Sequence, residues 1–167
     1  EREKYLKALD GAANYLIQNT AENGYISASA DYTWYLPHWF RDSSWVATSL
    51  LRYASFIGRG SQNSNEAIAA ASRIIDFNAK AVEHFASSIK SLDEINFENP
   101  DFFSMAHHMP SRVNAHFEFY KKDSIDDTKE ANVTRSWLMQ YDTIPLILYS
   151  ISEKSRLFGL NDLELNF

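Results

Sequence analysis

The chain has 167 residues, a formal net charge of −6 and no cysteine. A net acidic chain is a poor partner for nucleic acid or an anionic membrane, and no apolar run reaches the roughly 18 residues that a transmembrane helix needs. Without cysteine neither disulfides nor thiol chemistry are available, which favours a cytoplasmic location, and at this length one domain over residues 1–167 is expected.

Apolar residues recur at helical spacing in four segments of the chain. They predict helices over residues 3–18, 43–57, about 63–88 and about 135–158. The stretch between the first two helices is expected to be irregular or extended, because Pro37 is incompatible with a long helix there.

Two details of these helices depend on single residues. Asn63 and Glu66 have the spacing of a capping box, so Asn63 is expected to cap the third helix. Pro145 is expected to kink the fourth helix or to mark an early turn of it. The side chains expected to face the core are, in chain order, Tyr5, Leu9, Ala12, Ala13, Leu16, Ile17, Trp45, Val46, Leu50, Tyr53, Ala54, Ile57, Ile68, Ala71, Ile74, Ile75, Val82, Phe85, Ile89, Trp137, Tyr141, Ile144, Leu148 and Ile151.

A β-hairpin is predicted between the third and fourth helices. Apolar and polar residues alternate from Val113 to Tyr120, which is the period of a half-buried strand. The polar run over residues 121–130 follows as a solvated turn. The predicted fold class is therefore mostly α with a small β-hairpin.

The segment from Asp31 to Asp42 contains five aromatic residues and a histidine, and it ends in an Arg-Asp pair. Aromatic faces cover the apolar C–H faces of sugar rings, while Arg donors and Asp acceptors can grip neighbouring hydroxyl groups. The segment therefore suggests a sugar site. A structural interpretation is equally open at this point, in which Asp42 caps a helix that begins at Ser43 and Arg41 forms a surface ion pair.

Four blocks of the sequence together resemble glycoside hydrolase family 15, the glucoamylase family. The family's Tyr-x-x-x-Trp-x-Arg-Asp signature corresponds here to Tyr35, Trp39, Arg41 and Asp42. Residues 23–29 resemble the family's glycine-led approach to the site. Residues 111–117 resemble its Ala-Arg-Phe motif, and residues 137–142 resemble its Trp-x-x-Gln-x-Asp motif. Their order and spacing match the N-terminal part of the family, so the resemblance covers most of the chain.

The resemblance implies that the chain is part of an (α/α)6 toroid, the six-hairpin glycosidase fold. Such a barrel has about twelve helices, which at roughly 12 residues each plus loops require several hundred residues. Four helices and a hairpin cannot close it. The chain, which begins at Glu1 rather than Met, is therefore expected to be the N-terminal portion of a glucoamylase-like catalytic domain.

The resemblance also implies an exo-acting, inverting glycosidase that releases glucose from the non-reducing end of an α-glucan or a small α-glucoside. Inversion needs two carboxyl groups roughly 6.5–9.5 Å apart. The family's two glutamates lie on later blocks, so no catalytic residue is assigned, and this portion alone is expected to be inactive. The resemblance implies that this portion supplies the substrate-holding wall of the subsite for the terminal glucose, with Tyr35, Trp39, Arg41, Asp42 and Trp137 as substrate-binding residues.

The expected partners are the α-glucan or α-glucoside substrate and either the remainder of the barrel or a second copy of the chain. No cofactor or metal is expected, since His107 and His108 are adjacent and point apart and no carboxylate completes a set with His116. Two alternatives remain open. One is a non-catalytic helical domain that binds glycan or regulates a partner, and the other is a helical interaction module in which the Arg-Asp pair is coincidental.

Overall fold

The computed structural model describes residues 1–28, 38–86, 112–113, 115–116 and 142–159, and it is mostly helical over these residues. The elements, in chain order, are α1 (Arg2–Gln18), β1 (His38–Trp39), α2 (Phe40–Ile57), α3 (Gln62–Ala86), β2 (Arg112–Val113) and α4 (Thr143–Phe158). Among the helices in these ranges, none combines the length and the apolar character needed to cross a membrane.

Helix α2 is the centre of the fold, and α3 and α4 pack most extensively against it. The contact between α2 and α3 is rich in alanine, which lets two helices approach closely because little side chain separates their backbones. The buried residues of this first core are Ala13, Ile26, Ala47, Leu50, Leu51, Tyr53, Ala54, Ala67, Ala70, Ala71, Ile74 and Ile75.

A second, smaller core joins the start of α2 to α3, β2 and α4. Phe40, the first residue of α2, is fully buried against a cluster that contains Phe77, Ala81, Val113 and Ile147. Four segments that are distant in sequence therefore meet around one phenylalanine ring. This cluster fixes where α2 begins.

The predicted strand from Val113 to Tyr120 is shorter in the structure. Strand β2 pairs antiparallel with β1, with His38 opposite Val113 and Trp39 opposite Arg112, but Ala115 and His116 already lie in a turn. Helix α2 begins at Phe40 and so ends the pairing at Arg112, whereas the residues that would pair beyond Val113 precede His38 and lie outside the described residues. The rest of the predicted hairpin, residues 117–130, lies outside the described residues.

The fourth predicted helix is confirmed over residues 143–158, and its predicted residues 135–141 lie outside the described residues. Helix α4 begins at Thr143, directly after Asp142 in a turn, and Pro145 lies in its first turn, where a proline is tolerated. The expected inward face is also wrong in part, because Ile144 and Leu148 are exposed and the buried positions are those directly before them. The side chains of α4 that are buried are Thr143, Ile147, Ser150, Glu153 and Lys154.

The predicted core faces of the first two helices also need correction. Tyr5, Leu9 and Ala12 are exposed on α1, whose buried or half-buried apolar residues are Leu6, Ala13, Leu16 and Ile17. Trp45 is 49 % exposed on α2 although its spacing matched the apolar stripe. The inner face was predicted from apolar residues alone. The buried face of α2 also contains the polar residues Ser43, Ser44 and Thr48, which that prediction left out.

The third helix is confirmed in position, but its cap differs. The Ser64 backbone N–H donates to Ser61 Oγ, so Ser61, and not Asn63, accepts the bond that a capping side chain accepts. Of its predicted core residues, Ala71, Ile74 and Ile75 are fully buried and Ile68 and Val82 are half-buried. The side chain of Phe85, and Ile89, Trp137 and Tyr141, lie outside the described residues.

A tight turn leads the chain from α1 towards α2. Gly24 has a φ of +89°, and its backbone lies directly against the carbonyl group of Arg73 on α3. The Tyr25 N–H donates to Asn23 Oδ1 at 3.0 Å, and the Asn23 amide donates to the Ala115 carbonyl oxygen at 3.4 Å. The turn is thereby held between α3 and the residues that follow β2.

Candidate functional site

A cleft of about 250 Å³ lies between the end of α1, the segment that follows the Gly24 turn, and the first two turns of α2. Its size is slightly below the range of about 300–1,000 Å³ that drug-sized ligands occupy, so it can take one small ligand. The described residues that line the cleft are Tyr15, Leu16, Asn19, Ile26, Ser27, Ala28, Trp39, Asp42, Ser43, Trp45 and Val46.

Two of the predicted substrate-binding residues line this cleft. Asp42 is exposed in the first turn of α2, whereas Trp39 is only 4 % exposed, so its ring packs beneath the cleft and offers no open face for stacking. Arg41 is half-buried and is not among the described residues of the lining. Adjacent helical residues point about 100° apart, which separates the Arg41 side chain from that of Asp42. Tyr35 and Trp137 lie outside the described residues.

The position of Asp42 in α2 overturns the capping interpretation. The helix begins at Phe40 with Trp39 as the N-cap residue, so Asp42 lies inside the first turn and cannot be the cap of a helix that begins at Ser43. Over the described part of the chain, neither Arg41 nor Asp42 takes part in an ion pair. Asp42 instead places a negative charge in the first turn of α2, where the helix dipole favours it, and its exposed carboxylate faces the cleft.

Sequence reasoning missed two aromatic residues of the cleft. Tyr15 is 55 % exposed near the end of α1, and Trp45 is 49 % exposed one turn after Asp42. These are the accessible aromatic faces, in contrast to Trp39. The spacing of Trp45 from Asp42 was the available signal, because residues three apart on a helix lie on the same side.

A buried hydrogen-bond network holds the floor of the cleft. The Ile26 N–H donates to His38 Nδ1 at 3.0 Å, and His38 Nε2 donates to Asn78 Oδ1 at 2.7 Å. The Asn78 amide in turn donates to Ser43 Oγ at 3.1 Å and to Ser44 Oγ at 3.3 Å. The network thus connects α3 to the segment after α1, to β1 and to the start of α2. These last three elements line the cleft, and α3 lies behind them.

The charge state of His38 follows from this burial. His38 is fully buried, and removal from water lowers its pKa to about 4, although its hydrogen bonds with Asn78 and Ile26 act in the opposite direction. A neutral ring with one N–H suits the network, since Nδ1 must accept from Ile26 while Nε2 donates to Asn78. His38 is therefore a neutral structural histidine at physiological pH.

The described lining of the cleft combines polar groups with aromatic rings. Its described lining offers the Asp42 carboxylate, the Asn19 amide and the Ser27 hydroxyl beside the rings of Tyr15 and Trp45. Acceptors and donors next to apolar rings suit a small polyhydroxylated ligand. Asp42 is the one carboxylate among these described lining residues, so they contain no acid–base pair. Within the described ranges, no three His, Asp or Glu side chains come together to hold a metal ion.

Comparisons of the chain with protein-family models, with curated proteins and with solved structures find no match.

Proposed function

We propose that the cleft binds a single glucose unit, the non-reducing end of an α-glucan or of a small α-glucoside. The observation that carries the proposal is that Asp42 lies in one cleft with two exposed aromatic rings, Tyr15 and Trp45. The carboxylate can accept bonds from neighbouring sugar hydroxyls, and each ring can cover an apolar face of the sugar.

The arrangement of the sequence blocks supports the proposal. Ile26, Ser27 and Ala28 belong to the glycine-led block and line the same cleft as Trp39 and Asp42. The Trp39 block also pairs with the block at 111–117 through β1 and β2. Blocks chosen for their likeness to glucoamylases are therefore neighbours in space, which supports a shared site.

From this arrangement we further propose that the chain is the N-terminal portion of a glucoamylase-like (α/α)6 domain. Such a domain would release glucose by inversion, with its acid and base on other segments, while this portion would hold the terminal glucose. Exposed large apolar side chains such as Tyr5, Phe56 and Leu148 are available for contact with further helices or a second copy.

Replacement of Asp42 tests the sugar site. We expect Asp42→Asn to weaken binding of methyl α-glucoside about fivefold, measured by calorimetric titration, because a neutral acceptor retains about half of a charge-assisted hydrogen bond of about 1.5–3 kcal/mol. Stability should fall by less than about 1 kcal/mol, the effect of one negative charge in the first turn of a helix.

Glu3→Gln is the matched control for this substitution. Glu3 is an exposed acidic residue in the first turn of α1 and is not part of the cleft. Both substitutions should shift the melting temperature by a similar small amount, but only that of Asp42 should weaken sugar binding. If wild type and Asp42→Asn bound the glucoside with equal affinity, Asp42 would not be part of the sugar site.

A second candidate function is glycan binding without catalysis. It is favoured by the single carboxylate among the described lining residues, because glycoside hydrolysis by this mechanism needs two. We expect the 167-residue chain to bind methyl α-glucoside yet release no glucose from maltose, isomaltose or trehalose over an overnight incubation. Turnover that persists through repurification would mean that a carboxylate pair lies within the chain and would contradict this expectation.

A further inference from the structure

Helix α2 carries a regular row of exposed residues on its outward side. Asp42, Trp45, Ser49 and Arg52 are all exposed and follow one another at spacings of three, four and three residues. These spacings put the four side chains on one side of a helix, and they are the spacings at which helices pair with one another. We call this row the outer stripe. The central helix of the fold is therefore open to solvent along one side for about three turns.

The two charged ends of the outer stripe retain bonding capacity. Arg52 donates through Nε to Glu153 at 2.8 Å and through Nη2 to Tyr149 at 2.6 Å, which leaves its Nη1 group without a partner among the described residues. Glu153 is also bound by Arg156, so one carboxylate is shared by two guanidinium groups and positive charge remains in excess. At the other end, Asp42 forms no ion pair within the described ranges.

The outer stripe is complementary to a copy of itself that runs in the opposite direction. Asp42 and Arg52 lie about 7.5 Å on either side of the height of residue 47 along the helix, and Trp45 and Ser49 lie about 3 Å on either side of the same height. A twofold axis at that height brings Asp42 opposite Arg52 of the second copy. It also brings the large Trp45 ring opposite the small Ser49 side chain. Each copy then supplies the same pairs, as an isologous interface requires.

Helix α4 adds apolar side chains to the same face. Its Tyr149 ring lies beside the Trp45 ring, with centroids 5.9 Å apart, and the neighbouring Leu148 is 54 % exposed. Because α4 packs against α2, the same twofold axis brings each α4 opposite its counterpart. A stable interface buries roughly 1,200–2,000 Å² in total, so contact between the two α4 helices is expected to add to that between the outer stripes.

We propose that this face forms a homodimer in which α2 pairs antiparallel with α2 of a second copy. The charge pattern favours this occupant over an unrelated acidic protein, which would satisfy Arg52 but would repel Asp42. Because Asp42 and Trp45 also line the cleft, pairing closes the cleft to ligands. For glucose this consequence rests on the proposed function, and it makes dimerisation and sugar binding mutually exclusive.

Exchange of the two charges tests the pairing. Sedimentation velocity should show the wild-type chain passing from monomer to dimer as its concentration rises. Asp42→Arg should raise the dimer dissociation constant at least about tenfold, because symmetry places two like-charged pairs where two ion pairs stood. Asp42→Arg combined with Arg52→Glu should restore dimerisation. A wild-type chain that stays monomeric at every concentration, or a folded exchange variant that stays as weak as Asp42→Arg, would overturn the proposal.

A second variant keeps the test decisive if loss of the Arg52 bonds unfolds the exchange variant. Ser49 is exposed near the centre of the outer stripe, so Ser49→Arg should leave the circular dichroism melting curve nearly unchanged while it prevents dimerisation by colliding with Trp45 of the second copy. Glu3→Lys reverses an exposed charge on α1 outside the outer stripe and should not alter the dissociation constant. A dimer that tolerates Ser49→Arg would disprove the antiparallel pairing.

Methyl α-glucoside separates this proposal from the proposed function. In excess, it should shift the wild-type chain towards monomer, because the sugar and Arg52 of the second copy both require Asp42. If the glucoside had no effect on a dimer that responds to the Asp42 and Ser49 substitutions, the sugar site would be wrong and the pairing would stand. If the chain bound the glucoside but never dimerised, the pairing would be wrong and the sugar site would stand.

Discussion

Gly24→Ala should destabilise the protein by at least about 3 kcal/mol, measured by urea denaturation. Two costs combine at this position. A φ of +89° disfavours any residue with a Cβ atom by about 1–2 kcal/mol, and here the added Cβ would also overlap the Arg73 carbonyl group and lie 2.9 Å from Phe77 Cβ. Because Arg73 contributes backbone, which is part of α3, no side-chain rotation can relieve the overlap.

Two other glycines separate these costs. Gly58 has a φ of +92° but open space around its Cβ position, so Gly58→Ala should cost only about 1–2 kcal/mol, the backbone part of the effect. Gly11 lies within α1 with nothing near its Cβ position, and Gly11→Ala should raise stability by about 0.5–1 kcal/mol. If Gly24→Ala were no worse than Gly58→Ala, the close approach of the turn to α3 would be disproved.

The positions of the helices were predictable because each is long enough for its periodicity to be read. Helix α3 shows this best, since alanine and isoleucine recur along one side and its predicted start falls within one residue of Gln62. Which face is buried was less predictable. Ile144 and Leu148 have the spacing of a core stripe, yet α4 turns Ile147, Ser150 and Glu153 inward instead. Periodicity shows that a helix is amphipathic, but packing against the neighbouring helices determines which face is buried.

The site was predictable in part. Asp42 could be singled out because it ends a segment that contains five aromatic residues, and the structure places it in a cleft. The spacing of Trp45 from Asp42 indicates that the two residues share one side of α2, but it does not show whether the tryptophan is exposed. The buried network of His38 and Asn78 was invisible, since the two residues lie 40 positions apart and become partners only when α3 folds against β1.

That buried histidine should make the protein lose about 2 kcal/mol of stability between pH 6.5 and pH 4.5. In the unfolded chain the His38 pKa is 6.5, whereas burial lowers it to about 4 in the folded protein. Above pH 6.5 the ring is neutral in both states, so its contribution to stability is fully present. As the pH falls below 6.5 the unfolded chain takes up a proton that the folded protein does not, and this uptake favours unfolding.

The measurement is the free energy of unfolding from urea titrations at pH 7.5 to 4.5. Glu153 does not obscure this range, because its arginine partners lower its pKa from 4.5 to about 2, so its contribution is lost only as the pH falls below 4.5. His38→Gln should lower stability at pH 7.5 by about 1–3 kcal/mol through imperfect hydrogen bonds, and it should flatten the decline between pH 6.5 and 4.5. His84→Gln, which alters an exposed histidine of α3, should retain the wild-type decline. A decline that persists in His38→Gln would mean that another group causes it. Burial of His38 would then not be what links stability to pH.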